Sequence, residues 1–171
     1  MALQPSLLRE TAALVPKTGA AFVCFELSGP PFGKQVKGQT IRYTADGKPY
    51  IHSYVEPETA AYMESLAWAA RGAMKGRKPS LKPIWLQLHC YIPIPKSWTK
   101  REKADALIGA IRPAVRPDDD NYKKSLDALN EIVWKDDGQI VEDHIYKFYS
   151  DDPALRIEVR EFVPPSENEN A

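Results

Sequence analysis

The sequence predicts a single α+β domain with a mixed or antiparallel sheet and about three helices. Strand-like and helix-like segments follow one another without the regular rhythm of βαβ units, which argues against a doubly wound parallel sheet. The chain has 171 residues, 43% of them hydrophobic, which suits one domain with an ordinary core. We expect residues 1–20 to form an N-terminal arm, residues 21–162 the folded domain and residues 163–171 a disordered tail.

The first half of the chain predicts two strands, a loop or weak hairpin, and a helix. Residues 21–27, AFVCFEL, are typical of a strand that stops at Gly29-Pro30-Pro31. Residues 32–48 are rich in glycine, lysine and polar groups and indicate a loop or weak hairpin before the short strand PYIHSYV. Pro57 suits the first turn of a helix, and apolar residues then recur at helical spacing.

The second half predicts a strand at residues 84–94, IWLQLHCYIPI, with Gln87 and His89 facing outward, and a charged helix that begins after Ser97-Trp98-Thr99. A further helix is expected from about Asp120 to Trp134, with Trp134 in the core. A tight loop at residues 135–138 then leads to two strands, at residues 139–150 and 154–163.

The formal net charge of zero hides an asymmetry between segments. Residues 29–103 carry 13 basic and 5 acidic groups, whereas residues 117–171 carry 6 basic and 15 acidic groups. A basic half suits a polyanion and an acidic half suits a metal, although solvated helix faces produce similar imbalances. No apolar stretch reaches the roughly 20 residues of a membrane span, and no secretory signal precedes the domain, so we expect a cytoplasmic protein without a membrane partner.

Three consecutive aspartates, Asp118 to Asp120, stand directly before the predicted third helix. In a locally extended chain Asp118 and Asp120 point the same way, and two such carboxylates repel each other unless a cation lies between them. Mg²⁺ is commonly bound by one or two carboxylates together with waters and substrate phosphates. Helix capping explains one of these aspartates but not three.

A second acidic group, Asp136-Asp137-Gly138, follows that helix. Taken alone, this tripeptide is an ordinary turn signal. Together with the first group, it places carboxylates from two loops and a nearby lysine in one segment. That combination suits metal-dependent phosphodiester hydrolysis, in which metal ions activate water and stabilise the attacking and leaving oxygens, and the lysine neutralises charge on the scissile phosphate.

Residues 116–141, RPDDDNYKKSLDALNEIVWKDDGQIV, resemble the RusA family of Holliday junction resolvases. The family motif runs Pro-Asp-x-Asp-Asn, then Lys, then Asp-Ala-Leu, then Trp-x-Asp-Asp-x-Gln-Val/Ile. Upstream, Gly29-Pro30-Pro31 with Lys34-Gln35, and the stretch YIPIPKSWTKREK, are similar to further family segments. The resemblance covers roughly residues 21–162.

The resemblance implies that Asp118, Asp120 and Asp137 are catalytic carboxylates that bind Mg²⁺, with Mn²⁺ as a possible substitute. Asn121, Asp127 and Asp136 match positions that support such a site. The interval from Asn121 to Asp127 is one residue shorter than in the family. The catalytic lysine is therefore Lys124 when counted from Asn121 and Lys123 when counted back from Asp127, and we favour Lys124.

Members of this family are homodimers that resolve four-way DNA junctions by paired, symmetric nicks in recombination and repair, and they are frequent in phages and prophages. A two-fold protein matches a two-fold junction. Contacts to DNA phosphates are expected from basic residues in three regions. These residues are Lys34, Lys37, Arg42, Lys96, Lys100, Arg101 and Arg116.

Three other interpretations stay open at this point. The chain is alternatively a nuclease for flaps, forks or other branched DNA, a DNA-binding homologue without catalysis, or a metal-dependent glycosyltransferase with an Asp-x-Asp pair, although such transferases usually need a larger fold. A helix of about 13 residues would be about 20 Å long and would separate Asp120 from Asp137. We therefore expect Asp137 to be returned by a fold-back of its loop or to be supplied near a dimer interface.

Overall fold

Within residues 21–33 and 38–162, which are the part of the chain that the computed structural model describes, six strands and three α-helices follow one another. The strands are β1 (Val23–Ser28), β2 (Gly38–Tyr43), β3 (Pro49–Tyr54), β4 (Ile84–Pro93), β5 (Ile140–Ser150) and β6 (Ala154–Glu161). The helices are α1 (Pro57–Met74), α2 (Lys100–Leu107) and α3 (Asp119–Ser125). The N-terminal arm and the tail predicted from the sequence lie outside these residues.

The main sheet has four strands in the order β1-β6-β4-β5. Strand β6 pairs antiparallel with both β1 and β4, whereas β4 and β5 are parallel, so the sheet is mixed. Strands β2 and β3 form a separate antiparallel hairpin. Its turn closes where Thr44 and Lys48 exchange backbone and hydroxyl hydrogen bonds around Gly47, which has a positive φ of 78°. The α+β class with a mixed sheet and three helices is confirmed.

The hydrophobic core lies on one face of this sheet. Alternate residues of β4, among them Leu86, Leu88 and Cys90, are buried against α1 and against the segment that follows α3. Leu66 and Leu129 supply the facing side chains. Full burial of one large aliphatic side chain contributes about 1.5–3 kcal/mol, so this layer fixes α1 and the end of α3 on the sheet.

The prediction that Gln87 and His89 face outward is wrong. They are only 3% and 5% exposed. Strand β4 has neighbours on both sides, and the register sets His89 between Tyr146 of β5 and Arg156 of β6. The His89 ring meets the Tyr146 ring edge-on at 5.3 Å, and the Gln87 amide is hydrogen-bonded to His89 Nε2. The long side chains of the flanking strands thus cover the polar residues of the central strand.

Burial of His89 makes folding depend on pH. Burial lowers the pKa of His89 to about 4, with Arg156 and Arg112 acting in the same direction and Glu158 opposing them. The unfolded chain takes up this proton below about pH 6.5, whereas the folded chain stays neutral until about pH 4. Stability is therefore lost as the pH falls through this window.

We expect the free energy of unfolding to drop by about 2 kcal/mol between pH 7 and pH 5 through this residue alone. Urea titrations at pH 7, 6 and 5 measure the drop, and His89→Gln should flatten the profile. His52→Gln, which removes a histidine from the separate hairpin, is the matched control. An equally steep profile for His89→Gln would contradict this assignment.

The helix predicted from Asp120 to Trp134 is much shorter than expected. Helix α3 ends at Ser125, a 3-10 turn covers Leu126–Leu129, and Glu131 has a left-handed φ of 63°. Two backbone hydrogen bonds, Ser80 N–H to Val133 O at 2.9 Å and Lys135 N–H to Ser80 O at 3.2 Å, hold the following segment extended. The estimated 20 Å separation of Asp120 from Asp137 therefore has no basis, since it assumed a continuous helix.

Other expectations agree with the structure. Trp134 is fully buried, and its indole N–H donates to Asn130 Oδ1 at 2.6 Å. Helix α2 begins with a capping box, in which Thr99 and Glu102 satisfy each other's backbone N–H groups. None of the helices in the described residues is long and apolar enough to cross a membrane.

Candidate functional site

The first aspartate loop, residues 115–120, leads into α3. Asp118 occupies the N-cap position with extended backbone angles, yet its side chain makes no capping hydrogen bond. Asp119 and Asp120 lie in the first turn of the helix, and all three aspartates are exposed. Capping therefore does not account for the carboxylate of Asp118, although that is the structural role which its position suggests.

Lys124 lies beside Asp120, one helical turn away. The Lys124 Nζ atom donates to Asp120 Oδ2 at 2.5 Å and to Asn121 Oδ1 at 3.3 Å. This hydrogen bond is the largest cause that lowers the pKa of Asp120 below its usual range. Lys123 points elsewhere, since its Nζ atom donates to Asp143 Oδ2 at 2.6 Å. The geometry thus favours Lys124 as the lysine of the site, which stays a prediction.

Gly33 packs directly against this loop. A Cβ atom at Gly33 would lie 2.5 Å from Pro117 Cβ and 3.0 Å from Asn121 Cβ, so no larger residue fits without a shift of the backbone. The segment that ends at Gly33 therefore supports the residues on either side of Asp118 and Asp120. The sequence predicts for Gly33 only a place in a loop or weak hairpin.

We expect Gly33→Ala to destabilise the protein by about 1–3 kcal/mol because it overpacks this contact. Gly72→Ala is the matched control, because Gly72 occupies an exposed position of helix α1 with nothing within 4 Å of an added Cβ. That control should stabilise the protein by up to about 1 kcal/mol, since alanine is the better helix former. Urea unfolding of both variants measures the difference, and equal stabilities would refute the proposed packing.

The second aspartate loop, residues 135–139, is held by its own side chains. Asp136 Oδ1 accepts from the Gly138 N–H at 2.9 Å, and Gln139 Oε1 accepts from the N–H groups of Lys135 and Asp136 at 2.8 and 2.9 Å. The Gln139 Nε2 group donates to the carbonyls of Ser80 and Lys82 at 3.0 and 2.8 Å. Gln139 therefore clamps the loop to the chain before β4.

This arrangement separates the roles of the two neighbouring aspartates. The carboxylate of Asp136 closes the turn, whereas the carboxylate of Asp137 is exposed and makes no hydrogen bond or ion pair with the described residues. Gln139 was not identified as a site residue from the sequence. The signal was present as the glutamine of the Trp-x-Asp-Asp-x-Gln pattern, but its role appears only when Ser80 and Lys82 are brought beside it.

The three candidate metal ligands do not meet within one protomer. Among residues 21–33 and 38–162, no group of three His, Cys, Asp or Glu residues is placed to hold one metal ion. The donor chemistry nevertheless fits Mg²⁺, because Asp118 and Asp137 are exposed carboxylates without a partner in the described chain. The predicted fold-back that would join Asp137 to Asp118 and Asp120 in one metal-binding group is therefore not observed among the described residues.

The remaining predicted residues are spread over several surfaces. Asn121 holds Lys124, and Asp127 lies exposed in the 3-10 turn after α3. The basic residues predicted to contact DNA are exposed on β2, around the start of α2 and in the first aspartate loop, with Lys34 and Lys37 outside the described residues. Those that the structure describes are Arg42, Lys96, Lys100, Arg101 and Arg116.

Both aspartate loops lie in a region that matches a known protein family. A family model described as endodeoxyribonuclease RusA matches residues 29–160, a range that includes both aspartate loops and Lys124. The uncharacterized protein YqaN of Bacillus subtilis (strain 168) is 42% identical over 82 residues. The match covers 46% of this chain and 58% of that protein, so the chain spans little more than half the length of this curated relative.

Proposed function

Because the chain belongs to the RusA endodeoxyribonuclease family, we propose that it is a magnesium-dependent nuclease that resolves four-way DNA junctions by paired, symmetric nicks in recombination or repair. One observation above all supports this proposal. The Lys124 Nζ atom lies 2.5 Å from Oδ2 of Asp120, and the carboxylate of the nearby Asp118 makes no capping hydrogen bond. A cytoplasmic location and a branched DNA partner belong to the same proposal.

Each side chain has a separate task in this mechanism. Asp118, Asp120 and Asp137 would hold Mg²⁺ or Mn²⁺, which when bound supplies an activated water and neutralises charge on the attacking and leaving oxygens. Lys124 places a positive charge for the scissile phosphate, and its hydrogen bonds to Asp120 and Asn121 keep the ammonium group at the loop until DNA binds.

A second copy of the chain supplies Asp137 in this proposal. The lack of a three-carboxylate group among the described residues of one protomer supports the idea, as does the two-fold symmetry of the substrate. Mixing inactive Asp120→Asn with inactive Asp137→Asn provides the test. If sites are shared, each mixed dimer contains one site with all three aspartates, and nicking of one strand returns.

If all three ligands came from the same subunit, every site in the mixture would still lack one aspartate and no activity would return. The control is a mixture of Asp118→Asn with Asp120→Asn, in which both changes fall in the same loop. A shared site predicts no recovery there. Recovery in that control would contradict the assignment of the two loops to different subunits.

Basic residues on the surface provide the affinity for DNA phosphates. Arg42, Lys96, Lys100, Arg101 and Arg116 are exposed, and with Lys34 and Lys37 they are the proposed phosphate contacts. Loss of each contact should weaken binding. It should also reduce by about one the slope of the logarithm of the binding constant against the logarithm of the salt concentration. Such contacts position the DNA but do not read its bases.

The defining experiment compares a synthetic four-way junction with a linear duplex of the same sequence, each with Mg²⁺ or with EDTA. Symmetric nicking of the junction alone, abolished by EDTA, is the expected result. Preferred cleavage of flaps or forks would change the substrate class within the same chemistry. Binding of the junction without cleavage in any metal would instead identify a DNA-binding homologue, and no binding would reject the proposal.

A further inference from the structure

The side chain of Lys147 on β5 connects the first aspartate loop to the sheet. Its Nζ atom donates to the carbonyl of Val115 at 2.7 Å and to that of Pro117 at 3.2 Å. Pro117 directly precedes Asp118. A lysine that lies 30 residues away in sequence therefore holds the backbone from which the candidate metal ligands project.

Regular secondary structure does not hold the chain that precedes Asp119. Residues 109–118 form no helix or strand between α2 and α3, and Pro113 and Pro117 have no backbone N–H to donate. Hydrogen bonds from an ammonium group to carbonyls are charge-assisted and stronger than neutral ones. Lys147 thus supplies two strong contacts where the backbone itself has few to offer.

A second contact joins the same two segments in the opposite direction. Arg112 Nε donates to the backbone carbonyl of Lys147 at 2.8 Å, and its guanidinium group lies 3.7 Å from the centre of the Phe148 ring. The chain before the aspartates is therefore attached to β5 both by the Lys147 side chain and by the Lys147 backbone. Strand β5 in turn pairs along its length with the buried strand β4.

We propose that Lys147 is a positioning residue for metal binding, which holds Asp118 and Asp120 in place before the ion arrives. This inference rests on the proposed function, because it concerns the same carboxylates. Lys147 itself contacts carbonyl groups of the protein and takes no part in the chemical step. Loss of a residue that orients metal ligands typically weakens metal affinity by about 10–100-fold.

The test measures Mn²⁺ binding to the full chain without DNA, by electron paramagnetic resonance of the free ion. Lys147→Met should raise the Mn²⁺ dissociation constant by about tenfold or more, whereas Lys147→Arg, which keeps the charge and the donors, should recover most of the affinity. Lys103→Met is the matched control. It removes another lysine that donates to a backbone carbonyl, that of Lys96 at 3.1 Å, and neither residue belongs to an aspartate loop.

Amide hydrogen exchange of the metal-free protein gives a second measurement. Lys147→Met should speed exchange at residues 118–121 and leave β4 and β6 protected, which also shows that the variant is folded. If that variant does not fold, Lys147→Gln replaces it, because glutamine keeps a donor but lacks the reach to Val115 and Pro117. The same loss of Mn²⁺ affinity is then expected.

An unchanged Mn²⁺ affinity in the folded neutral variant would overturn the inference while leaving the proposed function intact. So would an equal loss in Lys103→Met, since this would reflect charge alone. A lower cleavage rate at saturating Mn²⁺ with normal Mn²⁺ affinity would show that Lys147 acts on DNA instead. Failure of the unmodified protein to bind Mn²⁺ would overturn both this inference and the proposed function.

Discussion

Asp120→Asn is expected to lower the rate of junction cleavage by about a thousandfold or more, because the loss of this proposed metal ligand removes several kcal/mol of transition-state stabilisation. The substitution keeps the size of the side chain and adds no clash. Junction binding should be retained, since the proposed phosphate contacts lie on other residues. Single-turnover nicking with Mg²⁺ and a gel mobility shift in EDTA measure the two properties separately.

Asp119→Asn is the matched control for this experiment. Asp119 is exposed in the same helical turn, but it is the variable position of the motif and is not a proposed ligand. Its cleavage rate should stay within a few-fold of the unmodified protein. Asp118→Asn and Asp137→Asn should behave like Asp120→Asn, and normal cleavage by any of these three would remove that residue from the site.

Lys124→Ala is expected to lower cleavage by about a hundredfold or more at saturating Mg²⁺, because a positioned charge on the scissile phosphate is lost. Lys123→Ala should have a much smaller effect. The two lysines are neighbours on α3 and both carry ion pairs, but only Lys124 faces the aspartate loop, whereas Lys123 pairs with Asp143 of β5. Single-turnover rates of both variants on the same junction decide between them.

The Lys123 variant needs a stability control. Its ion pair with Asp143 is partly exposed, so its loss should cost at most about 1 kcal/mol of stability. Thermal unfolding of both variants checks that neither rate reflects an unfolded fraction. If Lys123→Ala proved the slower enzyme, the catalytic lysine would be the one counted back from Asp127, and the short interval in the motif would lie before that lysine.

Much of the fold follows from local patterns in the sequence. Several elements lie close to their predicted places. They are the strands at the two ends of the domain, helix α1 after Pro57 and the start of α2 after Thr99. Each depends on short-range chemistry: alternation for strands, helical spacing for α1 and a capping box for α2. The residues proposed for catalysis were likewise found from a contiguous motif, and their roles remain to be measured.

Contacts between distant segments determined the structural features that local sequence patterns did not predict. The early end of α3 depends on Ser80, the burial of His89 on the strands either side of β4, and the shape of the aspartate loops on Gly33, Lys147 and Gln139. These contacts have no local signature, because a hydrogen bond between segments some 30 to 60 positions apart does not alter the periodicity of either segment.

The sequence by itself determined the fold class, the order of most elements and the residue types of the candidate site, because these depend on periodicity, turn chemistry and a continuous motif. Only the tertiary structure decided how the loops are held, which lysine faces Asp120, and that Asp118, Asp120 and Asp137 form no single metal-binding group within the described residues. The reason is physical: side-chain direction and loop placement are set by packing and hydrogen bonds between segments that only the folded chain brings together.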